Sequence, residues 1–182
     1  MGSISLWMCL VLTICTWHKT IGCTWMKTPP RSLSMFLVFS NNTINILQKM
    51  GHEVSREPRI TFPDKQYRQV DNFKADEQIA FISQTLKAIK KLYSSGKYES
   101  TSLNQKGFDK FMNDLYRQTS ELDQCVKAMK TRLSKSVKRV NKKMSLHFKF
   151  LKNYLKLKEY SASGWEDIRT VVLAHLRRLC VV

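Results

Sequence analysis

Apolar residues in this chain recur at three- and four-residue steps, the spacing that places side chains on one face of an α-helix. The first such run is Leu33, Phe36, Leu37, Ile44 and Leu47. Thr28-Pro29-Pro30 offers a start for it, and Gly51 after Met50 a stop. A second stripe follows at Ile79, Ile82, Leu86, Ile89 and Tyr93, with Asp71 and Asn72 as capping residues and Gly96 as terminator. Ser102 and Gln105 form a capping box for a third helix, whose inward positions are Phe108, Phe111, Met112, Leu115, Leu122, Val126 and Met129. A fourth stripe runs through Leu133, Val137, Val140, Met144, Phe148, Leu151 and Leu155. Ser163 and Glu166 make a second capping box before Trp165, Ile168, Val172, Leu176 and Leu179.

No segment of useful length carries the two-residue period of a strand. Five helices are therefore expected, over about 30–50, 72–95, 103–130, 133–158 and 163–180. Residues 51–70 hold Pro58 and Pro63 and no sustained period. A loop that long inside a small domain needs a reason. An overhand crossover supplies one, because joining two parallel neighbours requires the chain to travel back along the bundle. Ile60 and Phe62 are placed to pin this strap to the core. The expected fold is an all-α bundle of about five helices with a long overhand loop after the first.

The 182 residues suit one domain, and 43% apolar content is enough to build its core. Six Gly and four Pro leave few helix breakers, in keeping with long helices. Before the bundle, Ile4 to Trp17 is an uncharged, mostly apolar run, too short to span a membrane but suited to an export leader. Thr20 and Gly22 would fit cleavage before Cys23, making 1–22 a signal peptide and 23–182 the mature, secreted chain. Cys9 and Cys15 leave with the leader. Cys23, Cys125 and Cys180 remain, and in an oxidising compartment three thiols leave one over. Cys23 with Cys125 would close a loop of roughly 100 residues, worth up to about 4–5 kcal/mol in the chain-entropy description. Cys180, near the end, is the natural odd one.

The net charge of +17 predicts an anionic partner of some kind. Charge placement is more informative than the total. Between Asp123 and Glu159 there is no acidic residue and there are twelve Lys or Arg. Lys135, Lys138, Lys142, Lys149, Lys152 and Lys156 keep helical spacing and form a basic stripe apart from the apolar one. Such a face can dock on an acidic receptor or on an anionic membrane surface. Nucleic acid would explain the charge as well, but the leader counts against it and no zinc or aromatic-interleaved motif supports it.

Catalysis finds no support in the residues. The mature part holds only His52, His147 and His175, without HExxH, a Gly-rich phosphate loop or GxSxG. His147 sits beside a core stripe and reads as a structural, hydrogen-bonded histidine. Asp76-Glu77 and Glu166-Asp167 lie near helix starts, where carboxylates favour the dipole. No spacing of Cys and His suits a metal, and no cofactor is expected. Asn41-Asn42-Thr43 is an N-glycosylation sequon on the outer face of the first helix.

His147-Phe148, Leu151, Tyr154-Leu155 and, seven residues on, Ser163-Gly164-Trp165 resemble the type I interferon signature. Three positions depart from it: Phe150 stands where a small or polar residue is usual, Ser163 replaces a Cys and Gly164 an Ala. The missing Cys rules out the second disulfide of the mammalian proteins. With Cys23-Thr24-Trp25, the stretch Leu122-Asp123-Gln124-Cys125-Val126 and LKNYLKLKEYSASGWEDIR, the chain is similar to the two-cysteine group of fish type I interferons over residues 23–179. The resemblance implies a helical cytokine, a Cys23–Cys125 disulfide, a two-chain class II cytokine receptor and antiviral signalling through Janus kinases. It also implies that one receptor chain is met by the first helix, the overhand loop and the last helix, and the other by the opposite face. Arg56, Arg59 and Arg169 are then candidates for the first surface, and the lysine stripe for either. Trp165 reads as structural. The competing reading is a cationic protein that acts on bacterial membranes.

Overall fold

Ser34 opens the first helix: its backbone is extended and its hydroxyl accepts the Leu37 N–H at 3.3 Å. The computed structural model describes residues 23–28, 30–51, 60–94, 98, 105–129 and 132–182. Its helices are α1 (Met35–Lys49), α2 (Asp64–Val70), α3 (Ala75–Tyr93), α4 (Gln105–Met129), α5 (Lys135–Leu157) and α6 (Ala162–Leu179), after a short 3-10 turn at Thr24–Met26. Among the described residues there is no strand. The expected leader, Pro58, Gly96 and Ser102 lie outside the described residues.

Several boundaries differ from the pattern-based expectation. The first helix starts at Ser34 and not at Thr28-Pro29-Pro30, so Leu33 lies before it and is exposed. The strap contains a helix, α2, entered from Pro63. Two turns are too short to establish a period, yet they turn Tyr67 and Val70 fully inward. Asp71 and Asn72 do not cap the next helix. Their N–H groups close α2 onto Tyr67 O (3.1 Å) and Gln69 O (3.3 Å), and α3 begins after Lys74. At the last helix Ser161, not Ser163, is the cap, accepting the Gly164 N–H at 3.3 Å.

Cross-helix bonds fix the directions of the bundle. On α1 and α4, Ser40 meets Gln118 and Asn42 meets Asp114. On α3 and α4, Ser83 meets Asp123 and Lys90 meets Thr119. Both α1 and α3 therefore run antiparallel to α4 and parallel to each other. The overhand strap exists to make that parallel step. His147–His175 and Tyr154–Asp167 set α5 and α6 antiparallel.

The core is filled by Phe81, Leu86, Phe111, Leu115, Leu122, Leu151 and Trp165 with their neighbours. Each such side chain stabilises the fold by about 1.5–3 kcal/mol through burial. Trp165 stacks on Tyr93 at 5.3 Å and meets Tyr98 edge-on at 5.0 Å. Cys23 and Cys125 are joined, tying the start of the described chain to α4. Beside this tie Trp25 packs on Phe39 of α1 at 5.2 Å, and Arg117 of α4 lies over the Phe39 ring at 4.8 Å.

Candidate functional site

With no constellation of catalytic groups to assemble, the functional site is a question of which faces the bundle leaves open. α5 presents one such face. Its apolar positions Val137, Val140, Met144, Phe148, Leu151 and Leu155 are buried, and Lys135, Lys138, Lys142, Lys149, Lys152 and Lys156 are all exposed. None of the six is in an ion pair among the described residues. At 100° per residue they occupy one flank of the helix, on the side of α3. There Lys149 and Lys152 face Lys91 across a shallow cleft of about 290 Å³ floored by Ala88, Leu92 and Phe148.

About a quarter turn further round α5 stand Leu146, Phe150 and Leu157. All three are solvent-exposed, Leu157 to 84%. Phe150 is thus an outward residue, which explains why a position more often small or polar tolerates an aromatic ring. Beyond it a wider cleft of about 480 Å³ separates α5 from α2, lined by Phe62, Asp64, Lys65, Lys143 and His147.

His147 leads inward to a polar chain that sequence reasoning reached only in part. Its Nε2 is 3.1 Å from Nε2 of His175, and His175 Nδ1 is 2.7 Å from the Tyr67 hydroxyl. His175 is completely buried, with Phe62 and Phe148 against its ring. Burial lowers the pKa of His147 to about 4, and burial, reinforced by His147, lowers that of His175 well below the ordinary histidine range. Burial also pushes the Tyr67 phenol up. All three groups are neutral at pH 7, each contact carrying one proton. The relay fastens α2 to α5 and α6.

The first surface expected from the family resemblance divides differently. Arg56 and Arg59 lie outside the described residues. Arg169 is not on the surface: it is 3% exposed, and this corrects the expectation that it meets a receptor. Its guanidinium grips Glu166, donating through Nε to Oε2 at 2.9 Å and through Nη2 to Oε1. A further donor reaches Leu47 O at 3.4 Å, near the negative end of the α1 dipole. Gly51 makes this possible. A Cβ there would stand 2.0 Å from Arg169 Nε and 2.6 Å from a Glu166 carboxylate oxygen. Arg169 is a clamp between the first and last helices. A basic residue in a stripe of otherwise apolar neighbours, facing a Gly at a helix end, is the signal for it.

A second buried polar group joins α1 to α4. Ser40 and Thr43 sit at inward positions of α1, where only Phe36 and Leu47 among the expected apolar residues are fully buried; Leu37 and Ile44 are partly exposed. Gln118 donates to Thr43 Oγ1 at 2.8 Å and accepts from Ser40 at 3.0 Å, while Thr43 donates to Phe39 O. The interruption of the apolar stripe of α4 between Leu115 and Leu122 is the only trace of this in the sequence. Asn41 itself is exposed.

The departures around Trp165 also have a geometric account. Tyr160 N–H bonds Leu155 O and Glu159 N–H bonds Lys156 O, a Schellman closure of α5. That closure swings Lys158 Cβ to within 2.8 Å of where a Cβ on Gly164 would be. The missing methyl at position 164 lets the two helices meet. Cys180 is a half-buried free thiol whose Sγ lies 3.3 Å from Leu176 O.

An all-helical bundle with an overhand strap is the architecture of the helical cytokines. Residues 37–179 match the interferon alpha/beta domain, and the chain belongs to that family, whose members signal and do not catalyse. It is 29% identical to interferon a3 of the trout Oncorhynchus mykiss over 187 residues, covering all of this chain and 97% of the trout protein. Zebrafish interferon 1 superposes with a TM-score of 0.72 and 31% identity, covering 80% of this chain and 92% of the zebrafish one. Zebrafish interferon 2, at 20% identity and a TM-score of 0.67 over 79% of this chain and 96% of its own, shares the fold.

Proposed function

We propose that the chain is a secreted antiviral cytokine that holds two chains of a class II cytokine receptor together, triggering Janus-kinase signalling and interferon-stimulated genes. The observation that carries this is the family match over 37–179. The leader-like run at Ile4 to Trp17 and the Cys23–Cys125 bond suit an oxidising, extracellular destination. No helix among the described residues is long and apolar enough to cross a membrane. Arg56 and Arg59 stay as proposed contacts of the first receptor chain; Arg169 acts behind that surface by holding α1 against α6. Oxidised protein added to receptor-bearing cells at low concentration is expected to induce antiviral genes. Absence of induction from correctly bridged protein overturns the proposal.

The competing reading, direct attack on anionic bacterial membranes, rests on α5 as well. Its geometry favours it less. A helix that lies in a bilayer interface needs a wide apolar face, whereas the main apolar stripe of α5 is buried in the bundle and only Leu146, Phe150 and Leu157 are exposed. Leakage of phosphatidylglycerol vesicles at cytokine concentrations would favour it.

A further inference from the structure

We infer that the lysine flank of α5 is a binding track for a sulfated polysaccharide of the heparan type. The inference goes beyond receptor engagement and rests on the extracellular reading of the chain. Lys135 to Lys156 spans 21 residues, a track of about 32 Å at 1.5 Å per residue. Along it the cations are spaced by three, four, seven, three and four residues, or roughly 4–11 Å. All six lysines are exposed, none is paired with a carboxylate among the described residues, and no acidic residue occurs between Asp123 and Glu159. Their mutual repulsion favours the approach of an outside anion.

The shape selects among anions. Lys91 stands across the cleft from Lys149 and Lys152, so cations line both walls of a trough. A linear chain bearing closely spaced sulfates can lie in a trough and along a 32 Å flank, matching charge for charge. A flat bilayer cannot enter it. A bilayer contact also draws on exposed apolar side chains, and Leu146, Phe150 and Leu157 point about a quarter turn away. A sulfated chain uses the lysines and leaves that ridge free. Binding of this kind releases counterions, so its affinity falls steeply with salt. The consequence for an extracellular ligand is retention on the matrix near the cell that made it.

The test is heparin affinity of the full oxidised protein, measured across a salt series. K142Q/K149Q/K152Q is expected to weaken binding at least about tenfold at 150 mM salt and to lower the slope of log affinity against log salt by about 2–3. K65Q/K106Q/K110Q removes the same charge elsewhere on the surface and is expected to change affinity less than about twofold, since only track cations contact the polymer. K142R/K149R/K152R keeps the charges and is expected to bind as the parent does, which separates lost contacts from lost folding. Equal weakening by the two Gln triples would reduce the effect to net charge and overturn the inference. Tighter binding to phosphatidylglycerol vesicles or to duplex DNA than to heparin, at matched anion concentration, would overturn it too. Gene induction by the same variants in cells lacking surface sulfated glycans tests the cytokine reading separately.

Discussion

α5 and α6 are neighbours of similar length built by opposite rules. In α5, seven of 23 residues are buried and every basic side chain faces water. In α6, ten of 18 are buried, and they include a glycine, an arginine and a histidine. α5 is a surface helix with one apolar stripe. α6 is enclosed by α1, α5 and the strap, and its buried Arg169 and His175 find partners inside. The same residue class thus has two meanings: a lysine on α5 is an open charge, whereas Arg169 on α6 is an internal fastener.

Truncation should expose this contrast most strongly at Trp165. Removing its fully buried ring is expected to cost about 3–5 kcal/mol in urea or thermal unfolding. Arg169→Ala should follow at about 2–4 kcal/mol, because Glu166 and Leu47 O lose their donor. Arg169→Lys should recover only part of that, since an ammonium cannot form the two-pronged contact. A loss below 0.5 kcal/mol for Arg169→Ala would return it to the surface and dissolve the distinction between the helices.

The histidine relay sharpens the comparison through pH. Both rings bind protons less readily when folded than when unfolded. The unfolded chain therefore takes up more protons as pH falls through 6.5 towards 4, and stability drops across that window while being unaffected above it. His147→Gln should flatten part of the fall in the denaturation midpoint; an unchanged profile would contradict the relay. Smaller effects belong to the α5–α6 turn, where Glu159 holds a positive φ of 51°. Glu159→Gly is expected to stabilise by about 0.5–1 kcal/mol, as a residue without Cβ tolerates that conformation. Least of all, Lys142→Gln or Lys149→Gln should stay within about 0.5 kcal/mol in stability.

This contrast also explains what could be read from the amino-acid order. α5 was legible almost completely, since burial on one side leaves a clean 3.6-residue period and the lysines follow from it. The inward stripe of α3 was equally plain, from Ile82 to Tyr93. α2 was not, because seven residues are too few to display a period. Ser40, Thr43 and Gln118 were invisible as a group, because their interior positions depend on one another across two helices far apart in sequence. Arg169 was misplaced for the same reason: its role is set by Gly51, which a linear pattern reads merely as a helix stop. Counting thiols made Cys180 the natural odd one, the resemblance implied the Cys23–Cys125 tie, and the signature around Trp165 carried the family.

Thr43 has one more consequence. It is the last residue of the Asn41 acceptor tripeptide, and its hydroxyl is sealed between Gln118 and the Phe39 carbonyl. An enzyme that must engage that hydroxyl can do so only before α1 is packed against α4. Any sugar on Asn41 is therefore expected to be attached before α1 docks on α4.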